Sequence, residues 1–226
     1  MPLRHFAGLA FILVLSAQIA AVGQQGAATG PPLNIKTASP VKGYLQRRYR
    51  FEMHAEGGIT PVRWRLTSGA LPKGVSLTSE GVISGVPTET GEFSFAVTAT
   101  DSGIPAQHLT QDFHLLIVTP LVVLWSIPPK VNGLRVDGAI KVSNQTGEDF
   151  DLTMIVLAVN EHGRATAIGY QHFPLKQNTT DFVIPFGENL TFGSYAVNVD
   201  VVGEVAATNT IFRARLATNV RILQAP

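Results

Sequence analysis

From Leu33 to Thr119 apolar side chains recur at every second position wherever the chain is not turning. In YRFEMHA, Tyr49, Phe51 and Met53 fall on one side and Arg50, Glu52 and His54 on the other; in VRWRL the inward set is Val62, Trp64 and Leu66. EFSFAVTATD groups Phe93, Phe95, Val97 and Ala99, and DFHLLIV adds Phe113, Leu115 and Ile117. Successive side chains of a strand point to opposite faces, so this period of two predicts half-buried antiparallel strands. Between the runs stand Gly57, Gly58, Gly69, Pro72, Gly74, Gly81, Gly85, Pro87 and Gly91, residue types that turn the chain. No window of helix length carries a 3.6-residue period, and the expected fold class is all-β.

The stretch LPKGVSLTSEGVISGVPTETGEFSFAVTATDSG, Leu71 to Gly103, spaces its turn residues most regularly. Pro72 fixes φ at the entry to a turn and Gly74 is free to take a positive φ behind it. VSLTSEGVISGVP reads as two short strands joined by Ser-Glu-Gly, with Gly81 left-handed, and Gly85 and Pro87 end the second. These glycines are corners of a sandwich; a phosphate cradle would open onto a helix N-terminus, and no helix pattern follows. Leu71, Pro72, Gly74, Leu77, Gly81, Ile83, Gly85, Pro87, Gly91, Phe93, Val97, Ala99, Thr100 and Asp101 together resemble the putative Ig domains of bacterial surface proteins, close in architecture to cadherin-like and dystroglycan-like modules. The resemblance is tight over 71–103, loose over 33–119 and silent on 120–226. It implies an Ig-like β-sandwich.

The second half follows with almost no linker, because HLLIVTPLVVLWSIPP ends one strand at Thr119-Pro120 and starts another within a residue or two; a stiff joint is expected. GAIKVSN, DFDLTMIVLAVN, ATAIGYQHF, DFVIPF, GSYAVNVDVV, NTIFRARL and NVRIL then make about seven strands, with turns at 145–148 and 161–164. The organisation expected is a signal peptide over 1–23, a flexible tail over 24–32, an Ig-like sandwich over 33–119 and a second Ig-like or fibronectin-like sandwich over 120–226, with a small barrel as the alternative for the second.

The signal peptide rests on Arg4 followed by the apolar run FAGLAFILVLSAQIAAV, shorter than the ~20 residues of a spanning helix, with Ala21 and Gly23 placed for a cut before Gln24. It predicts a secreted or periplasmic protein. The chain has no cysteine, so core burial must stabilise both domains without disulfides, and no lipid-bearing cysteine follows the signal. Removing 1–23 takes Arg4 from the 17 basic residues and leaves them equal to the 16 acidic ones. A neutral chain lacks the basic excess of a nucleic-acid binder. Alternation places Arg48, Arg50, Arg63 and Arg65 on a solvated strand face, with Arg47 out of phase.

Catalytic patterns are missing from the sequence. There is no G-x-S-x-G, Ser194 merely starts a strand, and His54, His108, His114, His162 and His172 have no metal spacing, so no catalytic residue and no cofactor is expected. The candidate calcium ligands are Asp101 at a strand end and Glu148, Asp149 and Asp151 around one turn; the domain junction LIVTPLVVLW, where cadherin-like modules gather such ligands, holds no acid. Trp64 points inward, and Trp125, at the start of the second domain, is placed to pack at the interface between the two domains. Tyr170, His172 and Phe173 share one strand and are the candidate partner-binding residues, an exposed aromatic there being able to stack on a sugar. Asn144, Asn178 and Asn189 begin glycosylation sequons. The function this favours is an exported, non-catalytic binding or adhesion module for a protein or polysaccharide of the cell envelope. The rivals are an accessory domain or small hydrolase whose acids converge only in space, and a structural spacer.

Overall fold

The structure, a computed structural model, describes residues 30–219 and 222–224. The signal peptide and the tail up to residue 29 lie outside these. Residues 30–32 do not behave as a tail: the Pro31 carbonyl accepts from the Gly58 amide at 2.7 Å and from Gln107 Nε2 at 3.2 Å, which fixes them to the first domain.

The first half contains β1 (Asn34–Ile35), β2 (Gly43–Tyr44), β3 (Tyr49–Glu52), β4 (Ala55–Glu56), β5 (Arg63–Gly69), β6 (Val75–Leu77), β7 (Val82–Gly85), β8 (Gly91–Thr100) and β9 (His108–Val118). One sheet runs β2-β9-β8-β5 and the facing one β3-β7-β6, with β1 paired to β4. The alternation read from the sequence fills the space between them. Ile83, Val97, Ala99, Phe113, Leu115 and Ile117 are almost wholly buried, and Tyr49, Met53 and Trp64 close the cluster. Gly81 shows why a turn needs its glycine. Its φ is +90°, and a Cβ there would sit 2.7 Å from the Trp64 indole, so this turn and the tryptophan fit only without a side chain.

The second half contains β10 (Leu121–Asn132), β11 (Arg135–Asn144), β12 (Phe150–Asn160), β13 (Ala165–Leu175), β14 (Phe182–Asn189), β15 (Gly193–Val205), β16 (Thr210–Ala217) and β17 (Ile222–Gln224). One sheet is β10-β11-β14; the other is β13-β12-β15-β16, with β17 beside β15. The core between them includes Val136, Ile140, Val142, Phe150, Leu152, Met154, Val156, Val197 and Val201, and shares no residue with the first cluster. A three-residue 3-10 turn, Ala206–Thr208, is the single helical element among the described residues.

β10 is the largest departure from the sequence reading. It continues through Pro128 and Pro129 and turns at Gly133 into β11, a hairpin the seven-strand count omits. Proline is tolerated there because β10 is a sheet edge and its ladder is irregular between Trp125 and Lys130. Trp125 packs 6.2 Å from Phe186, on the second domain's own core.

Only Thr119 and Pro120 separate β9 from β10. Arg47, the arginine out of phase, crosses this joint: its guanidinium donates to the Ile211 carbonyl and lies 4.6 Å from the centre of the Phe212 ring. Lys42 Nζ donates to the Gln145 carbonyl at 2.7 Å. The two sandwiches are thus joined by a short connector and by side chains reaching across it.

Candidate binding face

The outer face of the β13-β12-β15-β16 sheet is built in cross-strand rows. Tyr170, Ile155, Asp200 and Arg215 occupy successive strands in one row, and His172, Thr153, Val202 and Arg213 the next. Each faces away from the core because its neighbours in sequence, such as Met154, Val156, Val199 and Val201, face into it. Tyr170 is 66% exposed and Ile155 39%. Beside them a shallow depression of about 390 Å³ is lined by Ile155, Leu157, Asn198, Asp200, Arg215 and Ala217.

Charge on this face is locally paired. Arg213 Nε donates to Asp200 Oδ1 at 2.7 Å, its Nη2 engages Oδ2, and Arg215 Nε lies 3.7 Å from Oδ2. The bonds from Arg213 hold the Asp200 carboxyl below the usual carboxylate range, against a smaller upward push from burial, and Asp200 in turn raises Arg213. The result is a mixed surface: an aromatic ring and aliphatic side chains next to a fixed ion-pair cluster.

The three candidate partner-binding residues do not act as one patch. Tyr170 and His172 lie on the outer face, whereas Phe173, one residue out of phase, turns to the other side and packs 5.3 Å from Phe182. His172 is held by Thr153 Oγ1, 2.9 Å from its Nδ1, and by Asp151 Oδ1, 3.2 Å from its Nε2.

The calcium candidates are also dispersed. Asp101 is buried in the first domain, where its carboxylate accepts from the amides of Gln107 at 2.6 Å, Ile59 at 2.9 Å and Gly103 at 3.2 Å. The donors from Gln107 and Ile59 hold its carboxyl below the ordinary range. Asp101 therefore clamps loops. In the second domain Asp149 binds Lys176 Nζ at 2.8 Å and the Gln177 amide at 2.9 Å, which lower its pKa, while Asp151 faces His172. Glu148 contributes its backbone carbonyl to Asn144 Nδ2. Among the described residues no group of three or more histidines and acids is placed to hold a metal ion.

The strand histidines have a common geometry that single-strand patterns cannot reveal. His108, His114 and His172 each stand directly opposite a hydroxyl residue, Thr100, Ser94 and Thr153, with Nδ1 2.9 Å from the hydroxyl oxygen. These are cross-strand pairs of the kind that stabilise sheets. Of the sequon asparagines, Asn144 is fully buried and its amide donates to the carbonyls of Glu148 and Lys176, so it cannot carry a glycan; Asn178 and Asn189 are exposed.

Comparison with known proteins bears on the first domain most directly. No match was found among curated proteins. Among solved structures, a putative alpha-galactosidase/melibiase from Bacteroides fragilis is 26% identical over 38% of this chain, with a TM-score of 0.33, and only 17% of that enzyme's length is covered. The fibronectin(III)-like modules of Clostridium thermocellum CbhA align over 85% of this chain and 93% of theirs at 10% identity and a TM-score of 0.29. The protocadherin GammaB4 extracellular domain aligns over 88% of this chain and 36% of its own at 10% identity and a TM-score of 0.39. Residues 31–115, the segment whose turn glycines and core strands are described above, match the family model described as Putative Ig domain.

Proposed function

We propose that the protein is an exported, non-catalytic binding module, held as two stiffly joined β-sandwiches, whose second domain engages a protein or polysaccharide of the cell envelope. The observation that carries this reading is the exposed Tyr170 and Ile155 row on the outer face of the β13-β12-β15-β16 sheet. A strand face turned to water is ordinarily polar, and large apolar groups concentrated on one are a mark of interaction surfaces. The ion pairs of Asp200 with Arg213 and Arg215 border this row as a polar rim would. Export rests on the N-terminal pattern in the sequence and on the match of residues 31–115 to the Putative Ig domain model. The lack of catalysis rests on the engagement of His108, His114 and His172 in cross-strand pairs and of Asp101 in loop clamping.

The test is a cross-linked capture from envelope and culture-medium fractions with the purified protein, run beside Ile155→Asp and Tyr170→Ala variants. Retention of one defined component by the native protein, reduced by either variant, supports the reading. Capture that ignores both substitutions refutes this face as the binding surface. Recovery of the bait alone refutes the binding role and leaves a structural spacer.

A further inference from the structure

We propose that the groove where the edges of β13 and β14 meet is a binding site for neutral sugar residues of a polysaccharide. This rests on the binding role proposed above and adds a second site beside the sheet face, at the β13 edge. The two strands belong to different sheets, and the seam between them holds a cleft of about 390 Å³ bordered by Tyr170, Gln171, Arg135, Asp137 and Pro185. That volume is at the lower end of the roughly 300–1,000 Å³ typical of small-ligand sites.

The floor is built by close packing. Phe186 is 7% exposed, and a Cβ on Gly138 or Gly169 would come within 2.4 Å or 2.7 Å of it. Glycines at both positions let the phenylalanine seal the core and leave backbone and ring as a smooth base. A Cβ on Gly187 would lie 2.3 Å from Asp137 Oδ1, so this glycine lets the carboxylate rest against β14.

The polar groups are placed and fixed. Gln171 stands opposite the fully buried Met154, in the inward phase of its strand, yet it is a polar, exposed side chain because the seam opens there. Arg135 Nε donates to Asp137 Oδ1 at 2.6 Å and its Nη2 to the Gly187 carbonyl at 2.7 Å, uses for two of a guanidinium's five N–H donors. The pair is electrically neutral, which disfavours an anionic ligand. An amide, a carboxylate and a guanidinium offer both donors and acceptors to adjacent hydroxyl groups, and the exposed Tyr170 ring offers an apolar platform for the C–H face of a pyranose. A sugar combines these two demands in one residue; an extended peptide would instead be held by a row of backbone ladder bonds.

The test is saturation-transfer NMR and calorimetry with cellohexaose, mannohexaose, xylohexaose and chitohexaose on the native protein and on Tyr170→Ala, Gln171→Ala and Leu116→Asp variants. Leu116 is an exposed residue of β9 in the first domain, away from the groove lining. The expected result is binding of at least one oligosaccharide, weakened by about tenfold or more in Tyr170→Ala, the factor equivalent to about 1.4 kcal/mol, weakened also in Gln171→Ala and retained in Leu116→Asp. No binding of any of the four overturns the groove as a neutral-sugar site. If a protein is meanwhile captured from the envelope and lost in Ile155→Asp, the binding role survives without it. Binding that persists unchanged in Tyr170→Ala and Gln171→Ala overturns the location.

Discussion

Truncating one core at a time tests whether the two sandwiches are separate cooperative units. Leu115 and Leu152 are both completely buried, the first in the 33–117 cluster and the second in the 121–205 cluster. Replacing either by alanine removes buried methyl groups and leaves a cavity, a loss of about 2–5 kcal/mol. The groups reaching across the joint are few. A cation over an aromatic ring and a hydrogen bond from a charged donor, as Arg47 makes to Phe212 and Ile211, with the Lys42–Gln145 bond, together stabilise by roughly 2 kcal/mol at surface sites. The local loss exceeds the coupling. For a domain of this size each kcal/mol moves the midpoint by about 4–8 °C, so a loss of ~3 kcal/mol lowers it by about 10–25 °C. Scanning calorimetry should show Leu115→Ala shifting one heat-absorption peak and Leu152→Ala the other, each leaving its neighbour within a few degrees. A single peak that moves as a whole in both variants would refute the reasoning, since the coupling would then exceed the local loss.

Other outcomes follow from single sites. Gly81→Ala places a methyl against Trp64 in a backbone with φ of +90°; the left-handed penalty alone is about 1–2 kcal/mol, so the first-domain midpoint should fall and tryptophan fluorescence change, and an unaltered midpoint would contradict the packing. Asp101, Asp149 and Asp200 have folded-state pKa values lowered by their donors, so the stability they give is present above the unfolded value near 3.9 and lost as pH falls through the lower folded values; Asp101→Asn should flatten the first domain's acid dependence in chemical denaturation series, and an unchanged slope would count against its role. Burial pushes the Tyr49 hydroxyl up to about 12, so its contribution is intact below the unfolded value near 10 and lost as pH rises toward 12; circular dichroism should find an alkaline loss of structure that Tyr49→Phe diminishes. Calcium should leave both midpoints where they are, because Asp101 and Asp149 already bind backbone amides and a lysine; a rise of several degrees in millimolar calcium would show a site formed by other groups.

The inward residues were legible wherever one face of a strand meets a core. Phe113, Leu115 and Ile117, and the turns at Gly81 and Gly163, follow from period and residue type alone. What period cannot carry is pairing. That β13 and β14 meet at a seam depends on how two sheets close on one another, so Gln171 reads locally as a polar residue in the wrong phase. Asp101 looked like a free oxygen ligand because its amide partners lie up to 42 residues away. Phe173 fell with Tyr170 and His172 in sequence, yet alternation sends it to the opposite side. Arg47 was marked only by its phase, and its target in β16 is 164 residues distant. The hairpin at Gly133 was hidden by Pro128 and Pro129, which argue against a central strand but not against an irregular edge.

The pairing of β2 with β9 has a mechanical meaning. The strands run parallel, Gly43 beside Ile117 and Tyr44 beside Val118, with the Leu45 amide donating to the Val118 carbonyl. β2 lies near the point where the chain enters the first sandwich and β9 is the strand by which it leaves. Once the upstream contacts of residues 30–35 give way, tension along the chain draws them past each other lengthwise, loading these bonds together in shear rather than opening them in turn, and the force leaving β9 passes through Thr119 and Pro120 directly into β10. A pull along the chain across the joint is thus borne by the first sandwich through these bonds.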